Sequence, residues 1–193
     1  MSLKIVAGVC AVAVLAGCGG SGTGGTPTLN ELASQFAAFE SDPTFISATP
    51  QDTVNARRGS ARYDGVITIG VPQSSTNNLD INNYYGTISM NVNFVDGPDS
   101  VSGTAGNFIL FNTFVAQPGV GDSVAGSLSL NGTTTQNNES IGDGITGTMS
   151  GAIQGVDSSG TFEGSFTGLS GNGMRLFLDT DEGLGGGVAL LVD

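Results

Sequence analysis

The feature that most constrains this chain is a strict two-residue alternation in which glycine shares the apolar face with large side chains. "GTISMNVNF" sets Ile88, Met90, Val92 and Phe94 against Thr87, Ser89, Asn91 and Asn93. "GSLSLNG" repeats the pattern with Leu128 and Leu130. In "ITGTMSGAIQG", Ile145, Gly147, Met149, Gly151 and Ile153 oppose Thr146, Thr148, Ser150, Ala152 and Gln154. "GTFEGSFTG" aligns Phe162 and Phe166 with Gly160, Gly164 and Gly168, opposite Thr161, Glu163, Ser165 and Thr167. Successive side chains of a strand point to opposite faces, so this pattern predicts half-buried antiparallel strands. Glycine inside a strand costs entropy and forfeits packing unless a neighbour needs the space. Small residues alternating with large ones on the apolar face suit the interior of a narrow barrel.

Eight strands are expected, at about 62–71, 84–95, 100–111, 123–131, 143–154, 160–168, 173–179 and 186–192. Eight suffice to close a barrel that its own side chains fill. The fold class is therefore all-β: a single eight-stranded antiparallel up-and-down β-barrel over 62–193, with one short N-terminal helix. "NFILFNTFV" is apolar on both faces from Phe108 to Val115, so something must cover it from outside. The candidate is a helix near 28–40. "TLNE" is a capping box, with Thr28 as N-cap and Glu31 three residues on. Leu29, Leu32, Phe36 and Phe39 then form one apolar stripe, and Pro43 stops the pattern. The rest of 29–61 reads as irregular connection.

The N-terminus sets the location. A basic start, "MSLK", precedes an apolar run from Ile5 to Gly17, too short for a helix of about 20 residues spanning a bilayer. The order of basic head, apolar middle and small-residue exit is that of a secretory signal over 1–17. Its exit, "LAGC" (Leu15 to Cys18), resembles the lipobox of bacterial lipoproteins, which implies cleavage before Cys18 and lipidation of its sulfur. Gly19 after the cysteine implies, by the same likeness, an outer-membrane destination. Two or more acyl chains hold a protein on a bilayer where one holds it only marginally. Residues 18–28 form a Gly-rich tether. Cys10 falls within the discarded segment, so no disulfide is expected.

Charge and missing residue types narrow the chemistry. Cleavage removes Lys4, the only lysine, and leaves four arginines against 17 acidic residues. Nucleic acid is a disfavoured partner, because its binding requires a basic surface. The chain has no histidine, so Ser-His-Asp and Cys-His catalysis are excluded, as are histidine-dependent lipid-modifying barrels. Without mature lysine there is no Schiff base. Only carboxylate chemistry remains, and no enzyme activity, cofactor or metal site is expected. A membrane-embedded barrel is also disfavoured: the outward residues are Thr, Ser, Asn and Glu163, and three tyrosines without tryptophan make no aromatic girdles.

"VNFVDGPDSVSGTAGNF" (Val92 to Phe108) and "TGTMSGAIQGVDSSGTFEGSFTG" (Thr146 to Gly168) resemble the strand–turn–strand and Gly-spaced hairpin of transferrin-binding protein B barrel domains. The resemblance spans roughly 62–192 and implies an eight-stranded, lipid-anchored surface protein. It departs at the last hairpin, where no proline follows Gly168, and the chain has room for one barrel rather than two. Transferrin binding therefore does not carry over.

In an up-and-down barrel alternate connections share an end, here 72–83, 112–122, 155–159 and 180–185. They bring Asp80, Asp122, Asp157, Asp179, Asp181 and Glu182 toward one rim as a candidate acidic loop set. "DTDEG" has carboxylates suited to a hard cation but lacks the spacing of a calcium loop, and a solvated rim is the simpler reading. Asp96, Asp99, Glu139 and Asp143 belong to the other end. Arg57, Arg58 and Arg62 read as local neutralisation, or as contacts to lipid phosphates near the anchor. "NGTTTQNNES" (Asn131 to Ser140) reads as a polar hairpin tip. The leading expectation is a lipid-anchored outer-membrane protein contacting a protein or small solute through loops 72–83, 112–122 and 180–185. A structural envelope lipoprotein and a carboxylate-dependent enzyme are the alternatives.

Overall fold

The predicted alternation is realised as a closed antiparallel barrel. In a computed structural model describing residues 26–45, 47–72, 81–95, 98–113, 120–135, 144–180 and 185–193, helix α1 (Leu29–Ser41) comes first. A 3-10 turn (Pro43–Phe45) and helix α2 (Gln51–Ala56) follow. The strands are β1 (Gly59–Pro72), β2 (Ile81–Phe94), β3 (Ser100–Thr113), β4 (Ser123–Val124), β5 (Gly126–Thr135), β6 (Gly144–Ile153), β7 (Val156–Asp157), β8 (Gly160–Thr167), β9 (Gly173–Thr180) and β10 (Gly186–Val192). Eight of them pair with their chain neighbours, and β10 pairs back onto β1 to close the cylinder. β4 and β7 are two-residue additions, to β3 and β6.

The inward residues are the expected ones. Ile88, Met90, Val92, Phe94, Leu128, Leu130, Ile145, Met149, Ile153, Phe162 and Phe166 are all buried in one core. The glycines make room for them. A Cβ on Gly147 would stand 2.4 Å from the Phe162 ring tip and one on Gly132 2.9 Å from it, so that ring lies where two side chains are missing.

Helix α1 forms as its signals indicate. The Thr28 amide donates to Glu31 Oε2 at 2.7 Å, and the Glu31 amide donates to Thr28 Oγ1 at 3.3 Å. These bonds satisfy amide groups that a helix start leaves unpaired. Leu32 packs with Val66 and Ile109 on the outer wall, flanked by Leu29, Phe36, Phe39 and Tyr85. The whole stripe is used, and it covers Ile109 of the doubly apolar stretch, of which residues 114–115 lie outside the described residues. Each such side chain contributes about 1.5–3 kcal/mol when fully buried.

The structure departs from expectation in three places. The connection from Ser41 to Ala61 contains α2, which has no side-chain N-cap and whose one buried residue is Val54. Ser47–Thr49 is pinned along the end of β8, where Thr49 donates to Phe166 O at 3.0 Å and, through its hydroxyl, to Gly168 O at 2.7 Å. The strand expected over 123–131 is divided: β4 folds onto β3, and the barrel strand β5 begins at Gly126 and runs to Thr135. Asn131 thus lies inside a strand rather than at a tip. Among the described residues, no helix is long and apolar enough to cross a membrane.

Candidate functional site

The barrel interior is occupied by its own side chains. Tyr63, Tyr84, Phe108 and Phe166 are the largest of those fully buried. Any partner therefore meets the ends or the outer wall.

Three of the six residues of the acidic loop set are described, and they lie toward one end. Asp80, Asp181 and Glu182 lie outside the described residues. Asp122 and Asp157 are exposed in the connections of that end, and Asp179 is exposed near the end of β9, opposite Thr161. Asp157 is tied to its own turn, accepting from the Ser159 amide at 2.9 Å. Hydrogen bonds from the Ser159 hydroxyl and amide hold its carboxyl below the ordinary range. Among the described residues, no three potential ligand side chains are grouped to hold a metal ion. At the other end Asp99 is buried and structural. It accepts from the Val95 amide at 2.8 Å and from Thr134 Oγ1 at 3.4 Å, and its own amide donates to that hydroxyl at 2.9 Å.

The three clustered arginines separate into local roles. Arg57 closes the end opposite the acidic set, its guanidinium carbon 4.8 Å from the Phe94 ring centroid and 5.8 Å from that of Tyr63. It donates to Ser170 O at 3.2 Å, to Gly171 O at 2.5 Å and to Asp193 Oδ2 at 2.6 Å. Tyr63 donates to the same Gly171 O at 2.8 Å. Burial pushes the Tyr63 phenol far above its ordinary value, against a smaller opposing pull from Arg57. Arg58 donates to the carbonyls of Asn55 and Arg57. Arg62 pairs with Asp64 at 3.0 Å.

The outer wall holds what loop-centred reasoning misses. Beside α1 a groove of about 610 Å³ is lined by Gln35 of the helix, by Arg62 and Asp64 of β1, and by Thr87, Ser89, Thr104, Asn107 and Ser127 across β2, β3 and β5. It meets a second depression of about 310 Å³ at Ser89 and Thr104. Strand register builds both. One outward row runs Asp64–Ser89–Thr104–Ser129–Ser150, and the next runs Arg62–Asn91–Ser102–Asn131–Thr148–Thr161. After the Arg62–Asp64 pair, every position in both rows bears a hydroxyl or an amide.

A bulge borders the groove, which Gly106 and Asn107 help to line. The β2–β3 register slips between Tyr85 and Thr87, so that Asn107 and Phe108 both oppose Gly86. Asn107 takes φ 52°, a left-handed conformation that asparagine tolerates better than most residues. The extra residue lets Gly106 and Asn107 both lie on the outer wall while Phe108 turns inward and is fully buried. Asn107 Nδ2 donates to Thr87 Oγ1 at 3.0 Å. A Cβ on Gly106 would meet nothing nearer than Gly126 O at 3.9 Å, so the groove floor there is open. The outward Ser, Thr and Asn were legible from the alternation, where they weigh against a membrane-embedded barrel; the bulge left no sequence signal.

Compared with family models, with curated proteins and with solved structures, the chain finds no match.

Proposed function

We propose that this chain is a lipid-anchored protein of the bacterial outer membrane that works by contact through the outside of a rigid barrel. The observation that carries the reading is the filled interior: Tyr63, Tyr84, Phe108 and Phe166 occupy the space a carrier barrel would leave for a solute. Recognition is thereby assigned to connections and wall, where rigid scaffolds usually carry it. The anchor rests on "LAGC" ending the apolar run at Cys18, and the surface role on the likeness to transferrin-binding protein B barrels. Lack of histidine anywhere in the chain weighs against Ser-His-Asp and Cys-His catalysis.

The experiment is mass spectrometry of the protein recovered from a Gram-negative envelope, with protease shaving of intact cells. The expected result is an N-terminus at Cys18 carrying acyl mass, in the outer-membrane fraction, with the barrel shed by external protease. An unprocessed N-terminus with a bare thiol would remove the anchor. Protection from protease would move the domain to the periplasmic face and favour a structural role.

A further inference from the structure

We draw no further inference here: the strongest candidate, the depression of about 380 Å³ on the outer wall of β6, β8 and β9 lined by Glu163, Asp179 and the exposed Phe177 ring, is a pair of solvated carboxylates beside one exposed aromatic side chain, and nothing in the structure shows what covers it.

Discussion

The barrel's two helices solve the same problem, covering apolar surface, in different ways. Helix α1 lies on the wall, where neighbouring strands pair with one another. Only side chains need cover there, and one stripe from Leu29 to Phe39 supplies it. Helix α2 lies at an open end, where the apolar interior meets carbonyls that no further strand can pair. Val54 meets the first need by joining the barrel core. Arg57, one residue past the helix, meets the second by donating to Ser170 O and Gly171 O while its guanidinium faces Phe94. A wall is covered by apolar area, and an end needs a hydrogen-bonding group as well.

Leu32→Ala tests the wall side and should have the largest effect. Leu32 is 1% exposed between helix and sheet, and its truncation should cost about 2–5 kcal/mol in urea unfolding. Because α1 is an outer layer, amide exchange should quicken in α1 while β5–β9 keep their protection; uniform quickening would break the distinction. Arg57→Met tests the end. It keeps an apolar stem but removes the donor to Ser170 O and the partner of Asp193, while Tyr63 still donates to Gly171 O, with an expected cost of about 1.5–3 kcal/mol. A loss below about 0.5 kcal/mol would mean that burial of Val54 alone closes the end.

The smallest effect sharpens the comparison through pH. The Thr28 amide, and then its hydroxyl, hold the Glu31 carboxyl below its ordinary 4.5. A lowered folded value means the contribution is fully present above 4.5 and fades as pH falls through the folded value. Acidification through that window should loosen the start of α1 before the barrel, read as faster amide exchange at residues 29–32. Glu31→Gln should remove the pH dependence. No corresponding acid response is expected at α2, which has no carboxylate cap.

The comparison also explains what was legible. Helix α1 announces itself through local rules, a capping box and a stripe at helical spacing. Helix α2 has six residues, Pro50 at its start and one apolar contact, too little for any periodicity. It forms because the barrel mouth rewards Val54 and Arg57 at that place, a benefit that exists only once the strands have closed. The candidate sites divide in the same manner. Topology placed the acidic connections at one end, since alternation of direction follows from strand order. Arg62 and Asp64, two apart on a strand, were bound to share a face. The rows joining them to Ser89, Thr104 and Asn131 depend on which residues stand opposite, and register across strands is a property of the assembled sheet.

What the sequence alone determined is therefore one-dimensional: which side chains face in, where glycine must yield to a ring, and where a helix with its own cap would lie along the wall. Tertiary structure decided the register in which β10 closes onto β1, the plug at α2, the bulge at Asn107 and the groove beside α1. The physical reason is distance along the chain. Alternation and capping act between residues a few positions apart, whereas closure, plugging and register are set by contacts between residues far apart in the chain, whose free energy appears only when the whole cylinder is in place.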